Sequence, residues 1–174
     1  MPPFADAAAP WHDFFVLLGA ASATLVGLLF VAASVGANIT WQRRAAMRIF
    51  LSATVVHFSG VLLACLTLVV PWRGGPAICV PITLIGLVGL AYSGHAWRGT
   101  VRDGMSRNID LEDRIWYVAV PMLGYVVTLL AAIGLAYGAS VGCGILALSL
   151  VMLLLAGIRN AWDITIWIIT RPHE

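Results

Sequence analysis

His57 is the side chain best placed to do chemistry, because it lies in the middle of a long apolar run, in the segment SATVVHFSG. An ionisable group inside a membrane is rare and costly, and by default it marks a functional site. Ala53, Gly60 and Ala64 share the helical face of His57, and such small residues let two helices approach closely. The imidazole could therefore serve a pathway, or it could form a structural hydrogen bond across a helix contact.

Polar side chains occur at a matching depth in other apolar runs, and we expect them to form a polar layer near the middle of the membrane. This layer could be structural, could line a proton or solute pathway, or could hold a cofactor. Thr24 or Ser22 is the expected partner of His57, because a short link should pack the first two helices as an antiparallel hairpin. Tyr125 and Thr128 come next. The polar residues of this layer besides His57 are Ser22, Thr24, Tyr125, Thr128 and Ser149.

A second candidate site is the charged segment GIRNAWDITIW, residues 157–167, at the end of the last apolar run. Arg159 and Asp163 are four residues apart, so a helix would bring them together as an ion pair. About 20 residues cross the hydrocarbon core, which places Arg159, Asn160 and Asp163 at the cytoplasmic boundary. We expect all three to be satisfied there, either as an interfacial anchor or as a charged mouth or docking face.

Two motifs that would mark metal-dependent catalysis or nucleotide binding are missing from the sequence. It contains no HExxH and no P-loop. A haem would need a second axial histidine at the depth of His57, and His12 and His95 lie near opposite surfaces. The sequence thus predicts no enzyme, no metal and no cofactor, and a membrane enzyme that uses His57 is the weakest of the functional hypotheses.

Composition points to lipid as the solvent of this chain. Of its 174 residues, 61% are hydrophobic and only 10% are charged, against about 25% charged in an ordinary soluble domain. A soluble protein of this size could not bury so much apolar surface. The net charge of +2 is too small to suggest nucleic acid.

Five apolar runs are long enough to cross a bilayer, which takes about 20 residues each. They cover residues 14–37, 49–70, 77–97, 115–137 and 140–158. We therefore predict an all-α polytopic bundle of five transmembrane helices, formed by a single domain over residues 1–174. The fifth helix is expected to have a cytoplasmic or interfacial extension to residue 170. Pro81 and Pro121 should kink the third and fourth helices.

The arginines predict the orientation of this bundle. With five crossings, every basic residue except Arg73 falls on one side. The positive-inside rule makes that side cytoplasmic, with the N-terminus outside and the C-terminus inside. The tryptophans fall at or near the edges of the runs, as expected for aromatic belts. The polar link 98–114 should be ordered in part, with Asp110 close to the N-terminus of the fourth helix.

The opening FFVLLGAASATLVGLLFVAASVGANI resembles the first helix of small bacterial integral membrane proteins of unknown function. These begin with an aromatic pair and a Gly/Ala-rich stretch that contains Ser or Thr, followed by GLLFVA and a polar exit. The resemblance covers about a seventh of the chain. It implies a multi-pass protein of the bacterial inner membrane, and it implies no mechanism.

Two functions from different classes fit these patterns. The first is a homo-oligomeric channel, or a small-solute or ion pathway, built from a five-helix protomer. The second is a non-catalytic accessory or scaffolding subunit of a larger membrane complex. The expected partners are the lipid bilayer and further copies of the chain, with another membrane protein as the partner in the second function, but not nucleic acid. The midplane polar groups favour the first function, and the lack of pathway carboxylates favours the second.

Overall fold

The computed structural model describes residues 6, 8–35, 41–72, 75–102, 115–137 and 140–170, and within these ranges it leaves out the side chains of 35, 41–52, 75, 76, 96, 99–102, 164 and 167–170. The described part contains five long helices and no strand, which confirms the prediction of an all-helical fold. The helices are α1 (His12–Val35), α2 (Trp41–Val69), α3 (Gly75–Arg102), α4 (Val120–Ala136) and α5 (Ser140–Thr170). A 3-10 turn, Ala9–Trp11, precedes α1, and a π-helical turn, Ile115–Ala119, precedes α4.

Four of these segments are long and apolar enough to cross a membrane. They are Ala9–Ser34, Ala77–His95, Ile115–Ala136 and Ser140–Asp163. The described apolar part of α2, Ala53–Val69, is shorter, although the whole of α2 has 29 residues. Helix α5 has 31 residues, or roughly 46 Å at 1.5 Å per residue. It therefore continues as one helix well past the length that a bilayer core requires.

The helices form a four-helix ring with one helix attached outside it. In the ring α2 packs against α3, α3 against α4, α4 against α5, and α5 against α2. Helix α1 packs along α2. Helices α2 and α4 consequently face each other across the diagonal of the bundle. This arrangement decides which polar side chains can meet.

Neighbouring helices run antiparallel, and small residues let two of them approach unusually closely. Near the link between α4 and α5, a Cβ added to Gly142 would lie 2.7 Å from the backbone nitrogen of Leu135. At the far end of the same pair, Tyr117 contacts Asp163. Between α1 and α2, Gly19 lies against Cys65. The expected hairpin of the first two helices is therefore present.

The two prolines have different surroundings. Pro81 lies inside α3, whereas Pro121 is in the first turn of α4, directly after the π-helical turn. Proline provides no backbone N–H, so an α-helical ladder through this point would lose one hydrogen bond. A π-helical turn changes the register of the ladder just before it.

Asp110 and the rest of 103–114 lie outside the described residues, so the expected order of that link stays a prediction.

The core differs between the two ends of the bundle. One end carries Trp11 and Trp72, and we call the half next to it the apolar half, because its buried side chains are mostly apolar, with Thr128 and Ser149 as polar exceptions. The other end carries Arg159 and Asp163, and we call the half next to it the charged half. The fully buried members of the apolar half include Val61, Ala64, Ile78, Leu135, Cys143, Leu146 and Leu150.

Candidate functional site

The centre of the bundle is occupied by a hydrogen bond between His57 and Tyr125. The side chain of His57 is only 2% exposed and that of Tyr125 is fully buried. The Nδ1 atom of His57 lies 3.0 Å from the phenolic oxygen of Tyr125. If the ring proton is on Nε2, the phenol donates to Nδ1; in the other tautomer, Nδ1–H donates to the phenol oxygen. The bond therefore joins α2 to α4 across the bundle diagonal.

Glycines make the space that Tyr125 fills. A Cβ added to Gly89 of α3 would overlap the Tyr125 ring, and one added to Gly60 of α2 would lie 3.6 Å from its hydroxyl. The phenol ring of Tyr125 thus packs against the backbone of α3 at Gly89 and of α2 at Gly60. This packing directs its hydroxyl towards His57. Gly60 was expected on the His57 face, whereas nothing in the sequence distinguished Gly89 from the other glycines of its run.

The prediction that Thr24 or Ser22 bonds to His57 was wrong. Ser22 is buried, but its hydroxyl donates to the carbonyl of Phe58 over 2.7 Å. Thr24 is exposed and donates to the carbonyl of Ala20 in its own helix. Residues two apart on a helix point about 200° apart, so Ser22 and Thr24 cannot both face α2. Thr24 therefore lies apart from the polar groups of the core, and His57 bonds to Tyr125.

Thr128 and Ser149 form a second buried cluster, between α4 and α5. Their hydroxyl oxygens are 2.5 Å apart, and each also lies within 3.0 Å of the carbonyl oxygen of Gly124. Each hydroxyl has one proton, so one of them donates to the carbonyl while the other donates to its neighbour. These groups satisfy one another locally. They are brought into the core as expected, but in a cluster with its own partners.

The charged cluster at the end of α5 matches one expectation and corrects another. The Nε of Arg159 is 3.2 Å from both carboxylate oxygens of Asp163, which confirms the expected ion pair. Tyr117 of the π-helical turn donates to the same carboxylate over 3.3 Å, and the Arg159 guanidinium lies 5.8 Å from the Trp116 ring centroid. The C-terminal part of α5 therefore contacts the π-helical turn that precedes α4, through a hydrogen bond and a cation–π contact.

Asn160 departs from the expectation that every polar group here is satisfied. Its side chain is 1% exposed, and its Oδ1 has no hydrogen-bond partner in the described structure. Asn160 faces the core, because it lies on the same face of α5 as Gly157, which packs against Phe58 of α2, and Leu153, which packs against Gly124 of α4. Ser93 on α3 is also buried, and its hydroxyl is likewise without a partner there. Ser93 was not predicted, because it lies well beyond the middle of the run 77–97, outside the expected polar layer.

The chemistry that this arrangement can support is limited to hydrogen bonding and proton transfer. Over the ranges that the structure describes, no three His, Cys, Asp or Glu residues are grouped as metal ligands. Cys65 and Cys143 are buried free thiols in the apolar half. The imidazole of His57 and the phenol of Tyr125 can each exchange roles as donor and acceptor.

The described part of the chain has four helices long and apolar enough to cross a membrane, which is compatible with an integral membrane protein. No protein-family model matches the chain, and neither the curated proteins nor the solved structures contain a significant match to it.

Proposed function

We propose that the protein is a homo-oligomeric membrane channel or small-solute pathway. In this proposal each protomer crosses the membrane five times, with its N-terminus outside and its C-terminus in the cytoplasm. The positive-inside distribution of arginines supports this orientation. The resemblance of the first helix to small bacterial membrane proteins supports the bacterial inner membrane as its location.

The observation that carries the proposal is the position of His57. An imidazole that bonds to a phenol in the bundle centre is a costly way to join two helices, because apolar side chains could fill the same space. Intramembrane ionisable groups are typical of ion and proton pathways. The bond to Tyr125 lies across the bundle axis, where it could be broken and re-formed as a gate.

The exposed face of α1 supports assembly from several copies. Ala20, Thr24 and Gly27 lie on the side of α1 turned away from α2, and all three are exposed. A Cβ added to Gly27 would meet nothing within 4 Å. Small residues at this spacing allow close helix–helix contact in membranes, and the Thr24 hydroxyl is already satisfied by Ala20. A second copy of α1 fits this face.

The packing of the apolar half favours the alternative, an accessory or scaffolding subunit. Val61, Leu135, Leu146 and Leu150 are fully buried, so in this conformation they would obstruct a route along the protomer axis. A pathway then requires either an opening motion or a route between protomers. A scaffolding subunit would require neither, and the α1 face could bind another membrane protein.

Reconstitution separates the two functions. Native mass spectrometry of the purified protein should show a homo-oligomer. The Gly27→Leu variant should dissociate into smaller oligomers or monomers. Liposomes that contain the protein should pass at least one member of a panel of protons, monovalent ions and small neutral solutes. The His57→Gln variant should change that flux several-fold, whereas Cys65→Ala, a buried control at the contact with Gly19 and two turns from His57, should not.

Two results would reject the pathway. One is a protein that is monomeric and passes none of the panel. The other is a flux that His57→Gln and Cys65→Ala leave equally unchanged. A stable complex with another membrane protein, recovered together with either result, would favour the scaffolding function instead.

A further inference from the structure

Two buried polar atoms in the charged half have no partner in the described structure. They are the hydroxyl oxygen of Ser93 and the amide Oδ1 of Asn160, whose side chains are 6% and 1% exposed. A buried acceptor or hydroxyl without a hydrogen bond is costly, and most such groups in proteins bind a partner or an ordered water. Their surroundings indicate what that partner is.

Both atoms lie one turn beyond the His57–Tyr125 bond, towards Asp163. Ser93 follows Gly89 by four residues on α3, and Gly89 lies against Tyr125. Asn160 follows Gly157 by three residues on α5, and Gly157 lies against the Phe58 ring. Helices α3 and α5 occupy opposite corners of the ring. The two polar groups therefore enter the core at similar depth from opposite sides.

The same half contains further polar groups. Thr54 is fully buried and precedes His57 by three residues, on the same side of α2. Tyr117 and Asp163 lie where the charged half ends. Buried polar groups thus occur between the His57–Tyr125 bond and the surface, alongside apolar residues such as Leu153. In the apolar half, by contrast, the buried hydroxyls of Thr128 and Ser149 already bond to each other and to the Gly124 carbonyl.

We infer that the charged half of the core holds a chain of water molecules that bind Ser93 and Asn160 and reach the His57–Tyr125 bond. His57 is then accessible to water and protons from the Asp163 end only, and it is sealed from the Trp11 end. This inference does not depend on oligomer formation or solute flux. It concerns hydration of the protomer and is tested without a transport assay.

Hydroxyl-radical labelling by brief X-ray radiolysis tests it in the full-length protein in nanodiscs. Water held next to a buried side chain forms radicals in place and labels that side chain, whereas dry core residues are labelled slowly. After correction for intrinsic reactivity, Tyr125 should be labelled many-fold faster than Cys65 and Leu146. All three are essentially unexposed, and Cys65 and Leu146 lie in the apolar half. Equal corrected rates for the three would overturn the inference.

The Asn160→Leu variant provides a second test that does not depend on reactivity corrections. It replaces the unpartnered amide with a side chain of similar size that cannot hold water. Tyr125 labelling should fall several-fold in this variant, while the labelling of Cys65 stays the same. If the variant instead unfolds, Ser93→Ala serves in its place. Wild-type labelling of Tyr125 in a folded variant would contradict the proposed water chain.

Discussion

The imidazole of His57 and the phenol of Tyr125 are hydrogen-bonded over 3.0 Å although their helices, α2 and α4, are not neighbours in the ring. The bond is therefore a contact between opposite corners of the bundle, made by two side chains that are both buried in the protein. The strength of this hydrogen bond should therefore affect the stability of the four-helix ring.

Breaking this bond from one side should destabilise the fold. Tyr125→Phe keeps the ring but leaves the imidazole of His57 without its partner, which should cost about 1–3 kcal/mol. His57→Leu should also destabilise, and the double variant should lose less than the sum of the two, since no polar group is then left unpaired. Unfolding in mixed detergent micelles measures all three. Strict additivity would show that the bond contributes nothing to stability.

Gly89 should tolerate no side chain. In Gly89→Ala the new methyl group would overlap the Tyr125 ring, and overpacking of this kind typically costs about 1–3 kcal/mol. Gly94→Ala on the same helix is the matched control, because a Cβ there meets nothing within 4 Å. The control should be neutral or slightly stabilising, since alanine is the better helix former. Equal effects of the two substitutions would show that Tyr125 does not pack on Gly89.

The Arg159–Asp163 ion pair should contribute little to stability. The two side chains are 37% and 24% exposed, and a partly solvated i,i+4 pair is worth about 0.2–1 kcal/mol. Arg159→Gln should therefore lower stability by no more than that, with a smaller effect at high salt. Arg98→Gln, the loss of another exposed arginine, controls for net charge. A loss of several kcal/mol would mean that Arg159 is part of a more buried network.

The N-out, C-in orientation predicts opposite signals from two reporter fusions. An alkaline phosphatase or fluorescent protein fused after Gly74 should report the outside, and the same reporter fused after Ser106 should report the cytoplasm. In the proposed five-crossing arrangement, α3 would separate these positions by one crossing of the membrane. Identical signals from the two fusions would disprove the five-crossing arrangement.

Interactions between residues close in the chain could be predicted from the sequence. The apolar runs marked the five helices, because helices long enough to cross lipid must be apolar along most of their length. The Arg159–Asp163 pair followed from a spacing of four, which brings side chains together on any helix. The extension of the fifth run towards residue 170 was also expected, although whether it continued as helix was left open.

Contacts between helices could be predicted only in part. The sequence marked Ser22, Thr24, Tyr125 and Thr128 as polar groups at one depth, but it could not say which of them face the same space. A hairpin of the first two helices was expected, and Ser22 does bond to α2, though to the backbone of Phe58. Thr24 points away because it lies on the opposite face of α1.

The sequence by itself determined that this chain is a bundle of apolar helices with one ionisable group near its centre, because length, hydropathy and helical spacing are local properties. Only the tertiary structure decided that His57 bonds to Tyr125, that Gly89 makes room for that bond, and that the unpartnered groups of Ser93 and Asn160 face the same half of the core. These facts depend on the rotation of each helix and on the order of helices in the ring. Both are set by how all the side chains pack together, which no single run of residues contains.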